Sequence, residues 1–193
     1  CINRTKEIIN PRFIFRKYEI EKVNGEVCLK GVNLILQSND IYNLLSECNE
    51  CILMCATLGL EIEREIRKLT YTDLTKGIII DACATTAIEE VCDILQDNIA
   101  KDLLKKDKHI TYRYSPGYGD LPIEKNIEIN NLLNSHKEIG LTVTNSGIMI
   151  PRKSVVAIIG VSYKVSNNAK KSCENCNNRH NCDYKREGNG CGN

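Results

Sequence analysis

The chain has 193 residues, 11 of them cysteine, and Lys+Arg 26 against Asp+Glu 25 leave a net charge of +1. That length suits one well-buried domain with a small appendage. Near-neutral charge, two Phe and no Trp argue against a nucleic-acid binder, and the longest apolar run is far too short for a membrane span.

No secretory signal is visible, so the sequence reads as soluble and cytoplasmic. It starts on Cys1 rather than Met, which points to a fragment or a processed form. In that setting the cysteines are expected as reduced thiols or metal ligands rather than a disulfide framework.

In chain order, Arg12–Leu36 predicts one or two strands, with Asn24-Gly25 as a hairpin turn. Asn39–Glu47 predicts a short helix capped by Ser38 or Asn39. Cys51–Thr57 is an apolar run of the right length for a buried strand, and Leu58-Gly59 breaks it. Glu61–Leu69 predicts a charged helix. The longest element is expected from about Thr72 to Leu104, with Ile80, Ala84, Ala87, Ile88, Val91, Leu95 and Ile99 forming one apolar stripe. A strand over Ile110–Tyr114, a helix over Leu121–Leu133 and strands over Leu141–Thr144 and Ser154–Ser162 follow. The composition turns polar after Val165, so a boundary is placed near 166, giving domains 1–165 and 166–193.

The stretch Arg113-Tyr-Ser-Pro-Gly-Tyr-Gly-Asp-Leu-Pro122 carries the most chemical information. Arg113 offers a charged fork of donors suited to a carboxylate or phosphate. Pro116, Gly117 and Gly119 allow a tight loop that brings backbone close to a ligand, with Tyr118 as a flat face and hydroxyl. Asp120 is expected to cap the next helix, with Pro122 in its first turn. Such a segment is either a small-molecule cradle or a structural turn.

Other residues invite chemistry less directly. The tail spacing Cys173-x2-Cys176-x5-Cys182-x8-Cys191 suits a four-thiolate site for zinc or an iron–sulfur cluster, with His180 as a substitute ligand. A tail with fortuitous thiols is the alternative. Cys48, Cys51 and Cys55 are read as core, Cys51 and Cys55 on one strand face and Cys48 pointing elsewhere. Cys83 and Cys92 are read as packing residues on the long helix. Glu89 lies beside the apolar stripe and is expected to be half-buried, with a ligand ammonium or an arginine as partner; a surface salt bridge is the plainer reading. No catalytic triad, Cys/His pair or phosphate loop is present.

Arg113-x-x-Pro116-Gly-Tyr118, followed by Leu141-Thr-Val-Thr-Asn-Ser-Gly-Ile-Met-Ile-Pro-Arg-Lys-Ser-Val155, resembles the activation domain of cobalamin-dependent methionine synthase. Ala56-Thr-Leu-Gly59 and Asp81-Ala-Cys-Ala-Thr-Thr-Ala-Ile-Glu89 fit its short, stand-alone form, and the likeness covers about residues 45–162. The resemblance implies an α+β fold, a bent antiparallel sheet with flanking helices and one long helix. It implies an S-adenosylmethionine site at Glu89, Arg113, Pro116, Gly117 and Tyr118, with no catalytic residue of the chain's own. The cobalamin would be carried in trans by corrinoid-binding modules, and a flavodoxin or ferredoxin would supply low-potential electrons. A non-catalytic ligand- or metal-binding scaffold, or an iron–sulfur accessory protein of another corrinoid methyltransferase, is the alternative.

Overall fold

The computed structural model of the protein describes residues 1–164. The predicted domain boundary near 166 and the candidate ligands Cys173, Cys176, Cys182 and Cys191 lie outside the described residues.

Helix α1 (Ile2–Ile8), unforeseen in the sequence, precedes the long strand β1 (Arg12–Val23), the hairpin partner β2 (Glu26–Leu29) and the short β3 (Ile35–Leu36). Asn24 and Gly25 both take positive φ, 51° and 84°, the geometry that lets a two-residue turn follow the twist of its strands. Helix α2 (Asn39–Leu44), strand β4 (Glu50–Thr57) and the helices α3 (Leu60–Thr72) and α4 (Leu74–Leu104) come next. Then follow β5 (His109–Ile110), α5 (Lys125–Leu133), α6 (Ser135–Ile139), the small ribbon β6 (Thr142–Val143) and β7 (Met149–Ile150), and finally β8 (Ser154–Ser162).

Six strands form one antiparallel sheet in the order β3-β2-β1-β4-β8-β5. β1 pairs with β4 over residues 12–19 and with β2 over residues 20–23, so one long strand serves two partners in succession. The α+β class and the antiparallel sheet are as expected.

β4 explains the two-layer cover. Cys51, Leu53 and Cys55 enter one core with α2, α5 and α6 residues such as Ile41, Ile129 and Ile139. Ile52, Met54 and Ala56 alternate into the other, with Ile62 of α3 and Ile80, Ala84, Ile88, Cys92, Leu95 and Ile99 of α4. A strand buried on both faces needs apolar residues at every position, which is why it reads as a continuous run. The buried stripe of α4 follows the prediction except that Cys92 occupies the fully buried position, with Ala87 and Val91 partly buried beside it. Cys48 departs from its expected orientation: it packs in the same cluster as Cys51 and Cys55. Burial pushes these thiols up, to about 11 for Cys48, 12 for Cys51 and 11 for Cys55. They are therefore neutral packing groups, not thiolates.

The segment after β5 is less regular than predicted. Only His109–Ile110 is strand, and Tyr114 rejoins the sheet through an isolated bridge to Ile158. Helix α5 begins at Lys125, not Leu121. Among the described residues no helix is long and apolar enough to cross a membrane, and no group of three or more His, Cys, Asp or Glu is placed to hold a metal ion.

Candidate functional site

Tyr112, Arg113 and Tyr114 run along the edge of β8, where Thr111 and Tyr114 donate backbone hydrogen bonds to Gly160 and Ile158. Alternation sends the two tyrosines toward the first core and leaves Arg113 facing α4. There Asp93 Oδ1 lies 2.7 Å from Arg113 Nη1. Gln96 Oε1 accepts from the same nitrogen at 3.0 Å, and Glu89 Oε2 accepts from Nη2 at 3.2 Å. Glu89, Asp93 and Gln96 are spaced by four and three residues, so α4 presents all three on one side. The Arg113 side chain is only 16% exposed, whereas Glu89 and Asp93 are 59% and 62% exposed. Glu89 is thus not the half-buried carboxylate expected from the sequence, because the long arginine reaches out to it rather than the reverse. Its partner is the intramolecular arginine.

A second cation closes the same side of α4 one step away. Lys153 Nζ reaches Asp81 Oδ1 at 2.9 Å and donates to Thr85 Oγ1 at 2.8 Å. Asp81, Thr85, Glu89 and Asp93 recur every four residues, so Lys153 and Arg113 bracket a single polar stripe of α4.

The loop after Arg113 is anchored from an unexpected direction. Asp120 does not cap α5. Its carboxylate accepts from Asn39 N–H at 2.7 Å and Asp40 N–H at 3.3 Å, and Ser38 Oγ donates to it as well. The α2 terminus thereby gains a cap from 80 residues away, in addition to Ser38 Oγ, which accepts from Ile41 N–H. The Tyr114 hydroxyl donates to Asp40 Oδ2 at 2.8 Å. Burial, and then the Asp40 carboxylate, raise the Tyr114 pKa above its usual value. Pro116 is buried, Gly117 sits at φ 91°, and Tyr118 stands 67% exposed above the loop. Ile123 completes the frame: its carbonyl lies under Gly147 of the β6–β7 turn, where a Cβ would come within 2.7 Å of it.

Asp120 gives the loop a testable pH dependence. Partial burial raises its pKa, but hydrogen bonds from Ser38 and the Asn39 and Asp40 amides outweigh this and hold it below the usual carboxylate value. A depressed carboxylate contributes its stability above the unfolded pKa of about 4 and loses it as pH falls through the lower folded value. The clip should therefore be constant from pH 5 to 8. Asp120→Asn should speed proteolytic cleavage within residues 115–121 at pH 7 several-fold, without lowering the α4 helix signal.

Of the predicted residues, Arg113 meets Glu89 on α4, while Pro116, Gly117 and Tyr118 lie in the loop that follows Arg113, which Tyr114 and Asp120 tie to α2. Sequence reasoning did not give roles to Asp93, Gln96 and Lys153, although the i, i+4 spacing from Glu89 to Asp93 was a usable signal.

A family model described as "Vitamin B12 dependent methionine synthase, activation domain" matches residues 54–186, more than half of the chain. The chain belongs to that family. The activation domain's fold is matched by a solved structure described as the MetH reactivation domain bound to AdoHcy. The TM-score is 0.65 at 17% identity, over 95% of this chain and 68% of that one. No curated protein sequence matches this activation domain.

Proposed function

We propose that this chain is the reactivation component of a corrinoid-dependent methionine synthase and binds S-adenosylmethionine on the α4–loop surface, working in the cytoplasm. The observation that carries the reading is the partly buried Arg113 fork held beside Glu89, just ahead of the Gly117–Tyr118 loop in the chain. An amino-acid end group carries a carboxylate and an ammonium on one α-carbon, and Arg113 with Glu89 offers the complementary pair. The positive φ of Gly117 exposes backbone for close approach, and the Tyr118 ring suits a nucleoside face. Pro116, buried beneath, fixes the loop.

When bound, S-adenosylmethionine would supply a methyl group to a reduced corrinoid, leaving S-adenosylhomocysteine. The chain's own contribution in this reading is binding and orientation of the methyl donor. The corrinoid is assigned to modules of a partner in trans, and the reducing electron to a flavodoxin or ferredoxin. Exposed Tyr118, Ile123, Ile148 and Ile150 around the loop and ribbon give such a partner an apolar rim to cover. The cysteines at 173, 176, 182 and 191 are assigned by their spacing to a zinc or iron–sulfur site, which metal analysis with a visible spectrum tests.

Isothermal titration of the purified chain with S-adenosylmethionine tests the central reading. Saturable one-to-one binding is expected, together with reactivation of an oxidised corrinoid partner supplied with a low-potential reductant. A flat titration sinks the proposal.

A further inference from the structure

Resting on that reading, we infer that Asp93, seconded by Gln96, is the positioning residue that aims the Arg113 fork at the ligand's carboxylate. The donor inventory of the guanidinium carries the argument. Nη1 is taken up by Asp93 at 2.7 Å and Gln96 at 3.0 Å. Nη2 makes one bond, to Glu89. Nε–H, and one of the two hydrogens on Nη2, meet no acceptor among the described residues. Nε and Nη2 share one edge of the planar group, and that edge is a fork a carboxylate can take with two parallel hydrogen bonds.

The two carboxylates of α4 therefore divide the work. Asp93 and Gln96 hold the nitrogen that does not belong to the ligand-facing edge, so they can stay in place when a ligand arrives. Glu89 touches the nitrogen that does belong to it, and is the one to turn toward an ammonium. An arginine with an unpinned head loses more side-chain freedom on binding than one already fixed in plane. Asp93 removes that cost in advance. Its own side chain is 62% exposed, so the ion pair contributes little to folding, and its removal is read in recognition rather than in stability.

The experiment compares two ligands across variants. Wild type, Asp93→Asn and Asp93→Glu are titrated with S-adenosylmethionine and with its decarboxylated analogue, which keeps the sulfonium, the adenosine and the amine. The expected result is about a three- to tenfold weakening of S-adenosylmethionine binding by Asp93→Asn, with the decarboxylated analogue unchanged and partial recovery in Asp93→Glu. Equal weakening of both ligands would mean that Asp93 merely supports the structure and would overturn the inference. Unchanged affinity of Asp93→Asn for both ligands would overturn it while leaving the binding site itself standing. Failure of wild type to bind S-adenosylmethionine would remove the site and the inference together.

Discussion

Arg113→Ala is expected to weaken S-adenosylmethionine binding by about 30- to 150-fold, from the ~2–3 kcal/mol of a charge-assisted bidentate contact. Stability should hardly change. Among the described residues Arg113 bonds to Glu89, Asp93 and Gln96 on α4, and the two exposed carboxylates regain water when the guanidinium goes, so neither is left as a buried charge. That separation is diagnostic: calorimetric affinity should collapse while thermal unfolding moves by no more than a few degrees. Arg113→Lys keeps the charge but loses the fork, and should recover only a minor part of the affinity. A loss of affinity accompanied by a large fall in unfolding temperature would assign Arg113 to the fold instead.

The largest effect on stability is expected at Gly160. It lies in β8 opposite Cys51 and donates its N–H to Thr111 Oγ1. A Cβ there would meet Cys48 Sγ at 2.6 Å, Leu45 Cδ2 at 2.7 Å and Thr111 Cγ2 at 2.9 Å. These atoms come from three buried side chains in two segments, the turn Leu45–Cys48 and Thr111, so moving any one of them leaves the others in place. Gly160→Ala should cost about 1–3 kcal/mol by overpacking, a fall of roughly 2–12 °C in Tm for a chain of this size. Cys48→Ala removes the nearest of the three atoms and should recover part of the loss when combined with it. Independent, additive effects in the double variant would contradict this packing account.

Much of this was legible in the sequence because the signals were local. The continuous apolar run of β4 reports burial on both faces, and the three- and four-residue steps of α4 report one buried stripe. The Arg113–Tyr118 loop was recognisable from residue types whose conformational demands are specific. What escaped depended on contacts made at long range. Asp120 looks like a helix cap for the residues that follow it, yet its acceptors serve amides 80 positions upstream, because Tyr114 and Asp40 bring α2 beneath the loop. Glu89 sits next to the apolar stripe in a helical projection, but whether it is covered depends on where the sheet edge runs. Asp93 had the right spacing and lacked only the knowledge that Arg113 points at α4.

The position of β4 also sets the order in which the protein can be made. β4 pairs with β1, which precedes it, and with β8, the last described strand. Thr57 and Ser154, joined through their hydroxyls at 2.8 Å, are 97 residues apart. During synthesis the central strand must therefore wait with one edge of backbone N–H and C=O groups unpaired until about a hundred further residues have emerged. Such non-local closure slows folding and exposes a template for pairing between nascent chains. Chains terminated before Ser154 should accordingly accumulate as aggregates even though α3 and α4 are complete, and ribosome-bound intermediates should engage chaperones until β8 is released.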